Sequence, residues 1–126
     1  MDRILIVDDH REMRELLEHC FRKWSYATVA AGTLAEARDA FLTQGPFKMI
    51  VCDFDLPDGN GLQFFSWLRF EQQNHARFLL MSGSTNFVRY SSEDFMFLAK
   101  PFRSEQLRRL VDELIGTKPS DGKIAG

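Results

Sequence analysis

Residues 48–61 read KMIVCDFDLPDGNG. An apolar run from Met49 to Cys52 drives into Asp53, Asp55 and Asp58, interleaved with a proline and glycines. A short continuous apolar run marks a strand buried on both faces. Asp, Pro, Gly and Asn also suit turns, so the bland reading of residues 53–61 is a solvated turn. The alternative is a strand end that carries a site. The neighbouring segments decide between them.

Arg3 to Val7 (RILIV) is another apolar run of the same kind, and Tyr26 to Ala30 (YATVA) is short and β-prone. Arg77 to Met81 (RFLLM) and Phe95 to Ala99 (FMFLA) repeat the pattern, while Phe47 to Cys52 delivers Asp53. Between these runs the period changes to that of a helix. From His10 to Trp24 the apolar residues Met13, Leu16, Leu17, Cys20, Phe21 and Trp24 share one face. Thr33 with Glu36 forms a capping box for a second helix, whose inner face is Leu34, Ala37 and Phe41 and which Gly45-Pro46 stops. Gly61 opens a third helix with Leu62, Phe65 and Leu68 on one side. A last helix runs from about Ser104, with Leu107, Leu110, Val111, Leu114 and Ile115 inward. STNFVRYSSEDF (84–95) lacks a convincing amphipathic period, so the fourth helix is expected to be short, distorted or replaced by a loop.

Strands and helices thus alternate through the chain, which predicts an α/β fold. Five parallel strands in the order 2-1-3-4-5 are expected, covered by helices on both faces. Residues 1–116 form one domain in this reading, and 117–126 a flexible tail or linker stub. The chain of 126 residues carries a formal net charge of −2, which argues against a nucleic-acid surface. Apolar runs are too short to cross a membrane, and the first residues read as a strand and not a signal peptide. Cys20 and Cys52 sit inside apolar patterns without CxxC spacing, as buried free thiols in a reducing cytoplasm would. Neither GxGxxG nor a P-loop follows the first strand, so nucleotide binding lacks a motif.

In such sheets ligands bind outside the carboxyl ends of the strands. The first strand ends in Asp8-Asp9, the third in Asp53, the fourth in Ser82 and the fifth in Lys100-Pro101. Singly, the acids suit a helix cap, the serine a turn and the lysine a solvated surface. Together they bring clustered carboxylates, a hydroxyl and an amine to one edge. Clustered carboxylates need a compensating cation, and hard divalent ions such as Mg2+ prefer oxygen ligands. An ionised aspartate can then attack phosphorus while Mg2+ and an amine neutralise the phosphoryl oxygens. Asp53, leaving the central strand, is the best-placed nucleophile. Pro57 turns the chain away, Gly59 and Gly61 permit unusual backbone, and Asp58 reads as a turn residue. Asp55 can offer its carbonyl to the metal. His10, His19 and His75 are too scattered for a metal site of their own, although His10 adjoins the acidic pair.

On these residues the sequence resembles the receiver domain of two-component response regulators. The matching features are Asp8-Asp9 in ILIVDDH, Asp53 in VCDFDLPDGNG, Ser82 in LLMSGS and Lys100-Pro101-Phe102 in LAKPF. The resemblance spans residues 2 to 115. It implies a flavodoxin-like fold and a cytoplasmic signalling protein that assists its own phosphorylation and dephosphorylation without being an enzyme on other substrates. Asp53 would accept a phosphoryl group from a sensor histidine kinase or histidine phosphotransfer protein. Mg2+ (or Mn2+) would be held by Asp8, Asp9, Asp53 and the Asp55 carbonyl, with Ser82 and Lys100 on the phosphoryl oxygens. Phe97, Ser82, Ser84, Asp55 and Pro101 would fall at switch or tuning positions. An output domain, fused or separate, and a second copy in a homodimer are further partners of this kind of domain; a membrane and nucleic acid are not.

Three departures stand out. The stretch from Ser82 to Lys100 is shorter than is usual, Phe97 replaces the frequent tyrosine, and Asp55 sets a second acid beside Asp53. Two rival readings use the same residues. A degenerate receiver would only bind partners, although such domains normally lose an acid or the lysine. A haloacid-dehalogenase-type phosphatase would use Asp53 as nucleophile and Asp55 as general acid, leaving Asp8-Asp9 unexplained.

Overall fold

The computed structural model describes residues 1–83 and 95–116. Along the chain come β1 (Arg3–Val7), α1 (Arg11–Lys23), β2 (Ala27–Ala31), α2 (Leu34–Gln44) and β3 (Met49–Asp53). A two-residue ladder of β4 (Asp55–Leu56) with β5 (Gly59–Asn60) then leads into α3 (Gly61–Ser66). That helix continues through a π-helical turn, Trp67–Glu71, before β6 (Arg77–Ser82), β7 (Met96–Ala99) and α4 (Ser104–Ile115). The expectations for a short fourth helix, for Ser84 and for a tail at 117–126 lie outside the described residues.

The five long strands pair in the order β2-β1-β3-β6-β7, all parallel. This is the 2-1-3-4-5 order expected from the alternation of strands and helices. Successive side chains of a strand point to opposite faces, and here both faces are covered. Leu5 and Val7, Ile50 and Cys52, and Phe78 and Leu80 pack with Leu34, Ala37 and Phe64 of α2 and α3. Ile4 and Ile6, Met49 and Val51, and Leu79 and Met81 pack with Leu17, Cys20, Phe21, Leu107 and Val111 of α1 and α4. Hence the strands read as unbroken apolar runs. Phe65, Phe78 and Phe95 meet edge to face on the first side, with Phe65 and Phe95 centroids 5.0 Å apart. Phe41 and Phe64 both contact Trp67 there.

Three helix expectations need correction. Leu16 is 48% exposed, so the buried face of α1 is Leu17, Cys20 and Phe21. In α3 the buried residues are Gly61, Phe64 and then Leu68 in the π-helical turn, while Leu62 and Phe65 pack against the same core only partly buried. Spacing of 3 then 4 stays on one face of a helix, whereas 3 then 3 drifts around it. A glycine gave no apolar signal to anchor the register. At α2, the Thr33 hydroxyl accepts from the Glu36 N–H, as a capping box requires, but the Glu36 carboxylate accepts from the N–H of Gly32, not that of Thr33.

Burial separates two side chains that look alike in sequence. Phe64→Ala should lower the free energy of unfolding in urea by about 3–5 kcal/mol. Leu16→Ala, on the exposed edge of α1, should stay within about 0.5 kcal/mol of wild type.

Candidate functional site

Strand register brings the site together. Val7 lies beside Cys52, Asp53 beside Met81, and Ser82 beside Ala99, so Asp8, Asp53, Ser82 and Lys100 leave one edge of the sheet. Asp8 and Ser82 are completely buried and Asp53 is nearly so. Lys100 Nζ reaches between two carboxylates, 2.9 Å from Asp8 Oδ2 and 3.1 Å from Asp53 Oδ1. Its backbone N–H donates to the Ser82 carbonyl at 2.8 Å, which locks the end of β7 to the end of β6. Asp9 is exposed and the His10 side chain more so. Asp8, Asp9, His10 and Asp53 nevertheless each bring a ligand atom within 4.8 Å of the others. Three carboxylates at that separation make a hard-oxygen donor set suited to a divalent cation.

The electrostatics follow from burial. Loss of water pushes the Asp53 carboxyl up from 3.8 to about 6; the hydrogen bond and charge of Lys100 oppose the rise, and the charges of Asp8 and Asp55 add to it. Burial works against the Lys100 ammonium, but its bonds to Asp8 and Asp53, and their charges, outweigh that and raise its pKa. Cys52, fully buried beside Asp53, has its thiol held well above the usual range, first by burial and then by the two acids. It is an inert thiol that donates to the Asp53 carbonyl.

The loop after Asp53 is held from several sides. Phe54 N–H donates to the Met81 carbonyl at 2.7 Å, and Gly61 N–H donates to the Phe54 carbonyl at 2.8 Å. A side chain at Gly61 would sit 2.7 Å from the Asp53 carbonyl oxygen and 2.6 Å from Leu80, so the close approach needs glycine. Gly59 has φ +154° and abuts Gln63 and Leu34. Asp55 pairs with Asn60 across the small ladder and its side chain is exposed. Phe97 is half-buried against the aromatic side of the core, and Pro101 is exposed.

Three side chains do more than the sequence reading assigned them. Asp58, read as a turn residue, accepts from the N–H groups of Leu34 at 2.7 Å and Ala35 at 3.0 Å, capping α2 from a distant part of the chain. Those bonds hold its carboxyl below the usual range. Arg14 donates to the Asp8 carbonyl at 2.8 Å. His10 lays its exposed ring over the acidic pair, with Nδ1 3.2 Å from an oxygen of Asp8 and 3.2 Å from one of Asp9. Only the ordered spacing of a helical face could have hinted at Arg14, and nothing local hints at Asp58.

Comparison with known proteins bears on the same residues. The family model described as the response regulator receiver domain matches residues 4–112. The chain belongs to the response regulator receiver domain family. The receiver is 35% identical over 113 residues to the response regulator protein PilR of Pseudomonas aeruginosa, covering 85% of this chain and 24% of PilR. It is 32% identical over 116 residues to the transcriptional regulatory protein PmrA of Pectobacterium parmentieri, covering 90% of this chain and 52% of PmrA. It thus spans only part of those relatives. Sporulation initiation phosphotransferase F of Bacillus subtilis, 27% identical, is matched over 93% of this receiver and 96% of its own length. The solved structure of the response regulator TrrA from Thermotoga maritima, in complex with Mg2+-BeF, superposes with a TM-score of 0.80. It shares 24% identity, with 90% of this chain and 99% of that one covered, and supports the fold. Among the described residues no helix is long and apolar enough to cross a membrane.

A raised carboxyl pKa favours the protonated form in the fold. The contribution of Asp53 to stability is therefore complete below 3.8 and is lost as pH rises through about 6. In EDTA, Asp53→Asn should exceed wild type in stability by roughly 1–3 kcal/mol at pH 7.5, and the gap should close as pH falls toward 4. Paired urea titrations across that range measure it; a gap that widens on acidification contradicts the assignment.

Proposed function

We propose that Asp53 is the phosphoacceptor of this receiver, taking a phosphoryl group from a sensor histidine kinase or a histidine phosphotransfer protein. The observation that carries the reading is the Lys100 ammonium held between the buried Asp8 and Asp53 carboxylates. The Asp53 carboxylate attacks phosphorus in line. The bond from phosphorus to the donor nitrogen breaks, and its electron pair leaves with the imidazole. Lys100 then transfers its contact from the carboxylate to a phosphoryl oxygen, and the Ser82 hydroxyl donates to another. Asp8, Asp9, Asp53 and the Asp55 carbonyl would hold Mg2+ (or Mn2+), which would supply the remaining positive charge at the phosphoryl group.

The cluster of three carboxylates supports the Asp8, Asp9 and Asp53 part of that set, and the Mg2+-BeF complex of the fold relative TrrA supports the choice of ion. Residues 1–116 act as the switch domain, with 117–126 as a tail or linker stub. Phosphorylation biases an equilibrium between two arrangements in which Ser82, Ser84, Phe97 and Pro101 take part. The domain is a signalling element in the cytoplasm that promotes its own phosphorylation and hydrolysis.

Intact mass after incubation with acetyl phosphate tests the reading. One added phosphoryl group is expected with Mg2+, none in EDTA, and none in Asp53→Asn; retention of the group in that variant overturns it. Asp55, exposed beside the acceptor, is positioned to tune hydrolysis. Phosphorylated Asp55→Asn should decay at a rate different from wild type, and equal rates would remove Asp55 from that role.

A further inference from the structure

The acidic edge is not built from oxygen alone. His10 sits at the N-terminus of α1 with its backbone pinned on both sides. Its N–H donates to Asp8 Oδ1 at 2.8 Å, and its carbonyl accepts from the Arg14 N–H at 3.0 Å. That backbone places Nδ1 of the ring 3.2 Å from Asp8 Oδ1 and 3.2 Å from Asp9 Oδ1. The Lys100 ammonium occupies the opposite side, on Asp8 Oδ2 and Asp53 Oδ1. The two sides of Asp8 are therefore divided between an amine and an imidazole. The ring itself is 71% exposed, so an ion arriving from solvent meets the nitrogen and the Asp9 oxygen first.

Ligand type, more than charge, separates divalent ions at a site like this. Mg2+ prefers oxygen and keeps several of its waters, and it gains little from a nitrogen donor. Zn2+ and its first-row neighbours bind imidazole well and follow the Irving–Williams order at mixed nitrogen and oxygen sites. His19 and His75 do not join the cluster, so the nitrogen at this edge is that of His10.

We infer that His10 Nδ1 is a ligand that opens the acidic pocket to a transition-metal ion of the Zn2+ class, alongside oxygens of Asp8, Asp9 and Asp53. The inference rests on the pocket being the cation site of the phosphoacceptor reading, and it adds a selectivity that the carboxylates alone do not provide. A Zn2+ ion bound this way occupies the oxygens on which Mg2+ depends, so the two ions compete.

The test is calorimetric titration of the full chain with MgCl2 or ZnCl2, in wild type, His10→Gln, His19→Gln and Asp9→Asn. Zn2+ should bind wild type at least tenfold more tightly than Mg2+ and compete with it. His10→Gln should weaken Zn2+ by about tenfold or more while leaving Mg2+ within about twofold. His19→Gln should match wild type. In long-range nitrogen spectra, Zn2+ should move the Nδ1 resonance of His10 and leave those of His19 and His75 in place. Zn2+ affinity unchanged in His10→Gln, or an unmoved Nδ1 resonance, overturns the inference. Failure of the underlying reading is distinguishable, because Mg2+ affinity would then be indifferent to Asp9→Asn.

Discussion

Two carboxylates, Asp8 and Asp53, are withdrawn almost wholly from water at one edge of a parallel sheet, and the Lys100 ammonium is what makes that tolerable. An unpaired buried charge is expensive enough that the group would take up a proton or the structure would open. The upward push on Asp53 and the raised pKa of Lys100 are two views of this one compromise. The compensation is incomplete: one ammonium is shared between two carboxylates. A site left short of positive charge in this way is prepared for a cation, and a lysine already in place is prepared for an anion.

Much of this was legible in the amino-acid sequence because each strand is covered on both faces. RILIV, MIVC and RFLLM cannot sit anywhere else in a small protein, and the residues that succeed them must collect at the same edge. The capping of α2 by Thr33 was legible too, since it is local. What escaped is what depends on neighbours far along the chain. Asp58 reads as a turn residue until the N-terminus of α2 is seen against it. Leu16 fits an apolar stripe yet lies at its exposed margin, while Leu17, Cys20 and Phe21 take the buried positions. The burial of Phe64 was obscured by Gly61, which lacks a side chain to mark the inner face. The approach of the His10 ring to Asp8 and Asp9 goes with a backbone bond to Asp8 that composition does not reveal.

The loop after Asp53 and α2 are joined by hydrogen bonds. Asp53 is held by its strand, Phe54 by Met81, Gly61 by Phe54, and Asp58 then ties the same loop to the first turn of α2. Strain or charge introduced at Asp53 thus has a direct route to a helix end on the β2 side of the sheet. On the other side, the contact is from Lys100 through its N–H to Ser82 and so to β6. Asp53 stands between a polar tether and a strand pairing, each attached to a different part of the fold.

The alternation of side chains between the two cores carries a further consequence, for lineages more than for single molecules. Adding or deleting one residue within β3 would exchange Ile50 and Cys52 with Met49 and Val51, and would also rotate Asp53 out of reach of Lys100. Packing and chemistry would fail in the same step, so length variation inside the strands has no neutral path. Connections between strands are under no such rule, because Lys100 is placed by the pairing of β6 with β7 and not by the number of residues that lead to it. Descendants of such a domain can therefore diverge in loop length while their strand ends stay in step.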